Sequence, residues 1–229
     1  MISLAFTILF TDNQLGKFMV MKHYLVLVSK AVLAGLFVAI AGVIYLALYP
    51  IHKIIGAMLF SFALLLVVAY NLNLYTGKIG YLFNHRPRYL VDILFIIIGN
   101  FLGAILIALI VKVAKLESVI TTAKTLSTAK IETGYLPNFG RAILCGMMMY
   151  LAVDGYKRIQ IDVLRVIVVI FAVMIFILAG FEHSVANMFY FSVSGAMSWR
   201  SILVLMVMLL GNGVGAITLN LLEKIGKLA

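Results

Sequence analysis

The chain has 229 residues, of which 65% are hydrophobic and only 11% charged. That balance leaves too little polar surface to cover a soluble domain, so a soluble enzyme or nucleic-acid-binding module is excluded and a bilayer is the medium that fits. Eighteen Lys and Arg against eight acids give a net charge of +10, but the basic residues lie between apolar runs, so the excess reads as loop charge rather than a nucleic-acid footprint.

In chain order, the opening "MISLAFTILF" is apolar for ten residues with no basic lead-in, which predicts a segment lying along the membrane surface rather than a cleaved signal. Residues 1–29 are therefore read as an amino-terminal cytoplasmic or interfacial segment, and 30–229 as a six-span domain. The apolar runs are 31–49, 54–77, 93–111, 136–153 (interrupted by Arg141), 166–181 continued by 184–199, and 201–222. Most approach the roughly 20 residues that a helix needs to cross hydrocarbon. The expected fold is an all-α membrane protein with six transmembrane helices. An even number of spans puts both termini on one face, which then holds eleven of the eighteen Lys and Arg against seven opposite. The positive-inside tendency makes that face cytoplasmic, and the expected location is the cell (inner or plasma) membrane. Five of the seven opposite cations fall within 111–141, a segment read as a solvated external loop or as a field gathering small anions at a mouth. Cys145 has no partner for a disulfide and reads as a packing residue.

The chain also repeats itself. "KAVLAG" at 30–35 recurs as "RAILCG" at 141–146, and "GNFLGA" at 99–104 recurs as "GNGVGA" at 211–216, at offsets of 111 and 112. This predicts two repeats, about 30–114 and 138–222. Each holds three spans, an odd number, so the second is inverted relative to the first, and binding sites of such folds form at the midplane where helices are broken. The polar interruptions "NLNLYTGK" (71–78) and "GFEHSVANM" (180–188) are the expected breaks, and an offset of 111 carries Thr76 onto Asn187, so that both line one passage. Gly35, Gly99, Gly103, Gly146, Gly211 and Gly215 are expected to let helices approach closely. His183 lies inside an apolar stretch, where ionisable residues are costly and mark a pathway, and an imidazole there can donate a hydrogen bond or a proton to a passing anion. Helical geometry would turn Glu182 about 100° away from His183. Glu182 is accordingly expected to anchor the loop, by accepting backbone N–H groups or by pairing at a protomer interface.

"LYTGK", "GFEHSVANM" and the two "GNxxGA" segments resemble the formate/nitrite channel family, which includes hydrosulfide channels, over about residues 30–222. The resemblance implies an aquaporin-like protomer with two inverted three-helix repeats and two broken helices, assembled as a homopentamer with one pore per protomer. Matching positions imply a central pore histidine at His183 faced by Thr76, a cytoplasmic constriction of Leu64, Leu74 and Tyr75, the opposite constriction at Phe60 and Phe176, and an anion-attracting vestibule lysine at Lys130. Tyr75 stands where formate channels usually have Phe, and Gly146 where many members have an Asn near the histidine; both departures bear on substrate choice. The implied activity is passive or proton-linked passage of a small monovalent weak-acid anion (formate, nitrite or hydrosulfide), without cofactor, metal or ATP. An aquaporin-like neutral-solute channel lacks the Asn-Pro-Ala turn here, and a proton-coupled alternating-access transporter would differ in showing saturable flux. An intramembrane enzyme using Glu182 and His183 lacks converging ligands, because His23, His52 and His85 lie near span ends.

Overall fold

A computed structural model describes residues 12–226; "MISLAFTILF" lies outside the described residues. All regular structure among the described residues is helical: α1 (Asp12–Leu48), α2 (Lys53–Ala69), α3 (Tyr75–Lys78), α4 (Tyr89–Val113), α5 (Glu117–Thr133), α6 (Tyr135–Arg158), α7 (Asp162–Leu178), α8 (Ser184–Ser194) and α9 (Trp199–Gly226). Four of them, α1, α4, α6 and α9, are long and apolar enough to cross a membrane. The two remaining apolar runs are each cut in two. One becomes α2, then α3 with its continuation as a 3-10 turn, Ile79–Asn84; the other becomes α7 and α8. Helix α1 runs unbroken back to Asp12, so residues 12–29 continue the first apolar helix.

The segment 111–141 is not a solvated loop. It contains α5, which buries Val119, Ala123 and Ser127, a stripe at i, i+4 and i+8 that packs against α8.

The long helices are apolar all round, so what separates their faces is size. On α4 the buried side carries Gly99, Asn100, Gly103 and Ala104, whereas Leu94, Ile98, Leu102 and Leu106 are exposed. Small inward residues let backbones approach closely in a bilayer, where lipid covers the large ones. Helix α1 packs on α4 as α6 packs on α9, and the glycines have matching surroundings in both pairs. A Cβ at Gly35 would lie 2.2 Å from the Asn100 carbonyl oxygen, and one at Gly146 would lie 2.1 Å from that of Asn212. At Gly103 it would meet the Val32 oxygen at 2.3 Å, and at Gly215 the Ile143 oxygen at 2.0 Å.

The two breaks are also copies. The Leu72 N–H donates to the Val67 carbonyl at 2.9 Å and the Asn71 N–H to Val68 at 3.3 Å; the Phe181 N–H donates to Phe176 at 2.8 Å and the Gly180 N–H to Ile177 at 3.2 Å. This pairing closes a helix through a left-handed residue, which is Asn71 (φ 48°) in one repeat and Gly180 (φ 74°) in the other. The breaks are thus related by 109 positions (71 and 180), not by 111, because the second repeat is one residue shorter between Gly146 and the end of α6 and one residue shorter again in the connection to α7.

Gly146→Ala should force α6 and α9 apart at a backbone contact and cost at least the roughly 1–3 kcal/mol typical of overpacking. Gly140→Ala, on the same helix but with nothing within 4 Å of its added methyl, should leave the melting midpoint in detergent at or above that of the parent. Equal midpoints for the two variants would refute the close-packing account.

Candidate functional site

Where α2 and α7 stop, peptide groups lose their helical partners inside an apolar core, and two asparagines supply replacements. Asn100 of α4 accepts the Tyr75 N–H at 2.9 Å through Oδ1, and its Nδ2 donates to the carbonyls of Ala31 (2.8 Å) and Asn73 (2.9 Å). Asn212 of α9 accepts the Ser184 N–H at 2.9 Å and donates to Ala142 and Glu182, both at 2.8 Å. Both amides are fully buried. They belong to the repeated "GNxxGA" segments, and their shared place in that motif was the sequence signal for a role that glycine packing alone does not cover.

This register equates Tyr75 with Ser184 and Leu74 with His183, so the constant offset that paired Thr76 with Asn187 is corrected by two positions. Leu74 and His183 occupy the same backbone position, with φ −92° and −91°, each preceding the first residue of a short helix. Leu74 offers no side-chain cap, whereas His183 Nδ1 accepts the Ala186 N–H at 3.1 Å. A ring nitrogen that accepts carries no proton, so Nε2 is the protonated one and donates to Thr76 Oγ1 at 3.0 Å. The structure thus brings Thr76 and His183 together, 1% and 3% exposed.

A row of rings leads away from the pair. Phe176 stacks on His183 with centroids 5.5 Å apart, Phe60 meets Phe176 edge-on at 6.3 Å, and Tyr45 meets Phe60 at 6.2 Å. Phe60, Phe176 and His183 border a cavity of about 210 Å³ whose far rim holds Tyr49, Lys53 and Arg141. At the other end of the same helices lies a cavity of about 360 Å³, lined by Val67, Leu72, Leu74, Val153 and Lys157 among others. Leu64 is buried on α2 between Phe60, which lines the first cavity, and Val67, which lines the second, and is in the lining of neither.

Several expectations change. Residues 179–183 are not helical, so Glu182 does not turn away from His183: both border the first cavity. The Glu182 carboxylate pairs with Lys130 of α5 and accepts from the Asn187 Nδ2 at 2.9 Å, with no backbone N–H among its partners in the described residues. Lys130 does line the cavity, but its charge is held by Glu182; the cations there without an ion pair among the described residues are Lys53 and Arg141. Lys112, of the same basic segment, donates instead to the Ser192 carbonyl at 2.8 Å. Asn187 also donates to the His183 carbonyl at 2.9 Å and borders the cavity with Oδ1 unpartnered. The Tyr75 hydroxyl is turned onto α9, where it donates to the Leu209 carbonyl at 2.8 Å, and Tyr75 lines neither cavity. Gly146 faces the Asn212 backbone too closely for any side chain, so no amide from that position could reach the histidine.

Membrane-length helices with cavities at opposite ends and a buried polar pair between them define a membrane transport protein. The chain belongs to the formate/nitrite transporter family, whose model matches residues 12–223, and it is a transporter rather than an enzyme. It is 27% identical over 201 residues to the formate channel FocA of Escherichia coli (strain K12), covering 77% of this chain and 69% of that protein; the O157:H7 relative gives the same figures. Among solved structures it is similar to a pentameric formate channel with formate bound, with a TM-score of 0.76, 22% identity, and coverage of 91% of this chain and 99% of that one. A structure described as an FNT family ion channel gives 0.77, 21%, 87% and 89%. These structures share its fold.

Removing one partner of a buried ion pair costs about 3–5 kcal/mol because the other charge is stranded. Lys130→Met should therefore lower the melting midpoint clearly, and adding Glu182→Gln should recover most of the loss; a double variant no better than the single one would contradict the pairing. Asn212→Asp keeps the acceptor for Ser184 but removes both donors. It should destabilise by about 1–3 kcal/mol for each carbonyl left unsatisfied, read as the same midpoint.

Proposed function

We propose that the protein is a homopentameric channel of the cell membrane for a small monovalent weak-acid anion, with formate first, then nitrite and hydrosulfide. In this reading each protomer holds its own pore, built from six spans in two inverted, aquaporin-like repeats within residues 30–229, with both termini and the segment 1–29 on the cytoplasmic side. The observation that carries it is the Thr76–His183 hydrogen bond of 3.0 Å, buried between two mouth cavities in a chain of this family. Permeation would run from the first cavity past Phe60 and Phe176 to the pair, then past Leu64 and Leu74 to the second cavity.

The physics of such a path sets its selectivity. An anion entering an apolar slit unpaired loses hydration at a cost of several kcal/mol, and its neutral acid loses far less. The same desolvation raises the acid's pKa and favours its proton uptake, so passive and proton-linked passage share one barrier. Within the slit Thr76 and His183 supply the hydroxyl and the N–H that a carboxylate or nitrite can accept from. The formate channel FocA among the sequence relatives supports trying formate before the other two.

The test is flux in liposomes. His183→Ala should lower formate flux at least tenfold, equivalent to about 1.4 kcal/mol on the barrier. His183→Asn, which keeps an acceptor for the Ala186 N–H, separates the capping role from the permeation role. Unchanged flux with unchanged pH dependence in both variants would remove the histidine from the mechanism.

A further inference from the structure

The cavity on the face that carries the start of α1 and the end of α9 is lined by three cations, Lys78, Lys157 and Arg165, and by no carboxylate. Their charges are not equally available. Arg165 is paired with Asp162 at 2.6 Å and lies over the Tyr156 ring at 5.1 Å. Lys157 lies over the Tyr81 ring at 4.3 Å, a contact that positions the ammonium without neutralising it. Lys78, the last residue of α3, is half-buried and among the described residues reaches only the Asn71 Oδ1, at 3.5 Å. No carboxylate lies within ion-pair distance of Lys78 or Lys157 among the described residues; Asp154, which accepts the Tyr81 hydroxyl and is paired with Arg158, is near enough to attract Lys157 without pairing with it.

A purely local role for Lys78 is weakly supported. A cation favours the carboxyl end of a helix, but α3 has four residues and its Lys78 carbonyl already accepts the Tyr89 hydroxyl at 3.2 Å. Lys78 also borders a second cavity, about 710 Å³, together with Lys22 and Lys30, where Asp92 is the one acid and sits 3.3 Å from His23. Two ammonium groups beside one cavity with apolar walls repel each other and lose hydration, and an anion between them offsets both costs.

We propose that Lys78 and Lys157 form a binding site for a small monovalent anion at this mouth, two residues beyond Thr76 along α3, where the anion is held before it meets Leu74. The place of this site in permeation rests on the channel reading above; the binding itself does not. Because its ligand is defined by charge and size, chloride serves as a probe.

The experiment is chloride NMR line broadening on the purified full chain in an uncharged detergent, with formate as competitor, beside formate flux in liposomes. Lys78→Gln should lower the protein-dependent broadening at least twofold, Lys157→Gln should lower it too, Lys78→Arg should retain it, and formate should abolish the same component in the parent. Parental broadening in a folded Lys78→Gln overturns the site, as does equal loss in Lys78→Gln and Lys78→Arg. If Lys78→Gln does not elute as the parent does, Lys157→Gln decides by the same criterion. A parent that passes no formate yet shows Lys78-dependent broadening sinks the channel reading and leaves the site standing. Formate flux with Lys78-independent broadening does the reverse.

Discussion

The amides of Asn100 and Asn212 each commit two donors and one acceptor to backbone that has left its helix. In a bilayer core no water stands ready to satisfy such groups, so a helix can stop at that depth only where protein replaces the lost partners. Other features of the interior serve that replacement. The amides reach the loops because α4 crosses α1, and α9 crosses α6, at backbone contact, which is possible only with glycine at 35, 103, 146 and 215. The carbonyls of Ala31 and Ala142 complete each clamp, and the preceding residues, Lys30 and Arg141, accept the N–H groups of Asn73 and Glu182 at 3.4 and 3.3 Å. Close crossing, clamp and break are thus one device, used twice.

The scaffold is duplicated, but the chemistry mounted on it is not. Equivalent backbone positions carry Leu74 and His183, Asn73 and Glu182, Thr76 and Val185. The first repeat contributes a hydroxyl and the second an imidazole, so the polar pair exists only because the copies have diverged. His183 uses its two nitrogens for different ends: Nδ1 caps α8 through the Ala186 N–H, which fixes the ring and its tautomer, and Nε2 faces Thr76. A ring held by backbone on one side and stacked on Phe176 on the other has little freedom to turn away from Thr76.

Much of this was legible in the letters. The two repeated segments located the glycine crossings, and the polar interruptions at 71–78 and 180–188 fell on the breaks. Register was not legible: a single offset paired Thr76 with Asn187, because nothing in the sequence reveals that the second repeat loses one residue at the end of α6 and one in the connection to α7. The direction of Glu182 was misread because helical geometry was applied to residues that are not helical. Helix α5 was hidden by its composition, since the face it buries is Val119, Ala123 and Ser127, too short and mild to stand out among lysines and threonines. The asparagines were passed over because a lone amide in an apolar span shows no partner until the fold brings the broken loop to it.

The distribution of charge along the proposed path follows from the same constraint. A carboxylate beside a broken loop is costly to bury alone, and Glu182 is 2% exposed, so Lys130 must be committed to it. That pairing removes Lys130 from the field at the first cavity and leaves Lys53 and Arg141 there, while at the other end Lys78 and Lys157 have no ion-pair partner among the described residues. An anion would therefore meet attraction at both mouths and, between them, an apolar neck with a single neutral hydrogen-bonding pair. Unpaired cations at the ends lower the cost of approach but contribute little inside the neck, where dehydration dominates. Selection among anions in such a path rests on size and on the ease of shedding water or accepting a proton, and the mouths set how often the neck is tried.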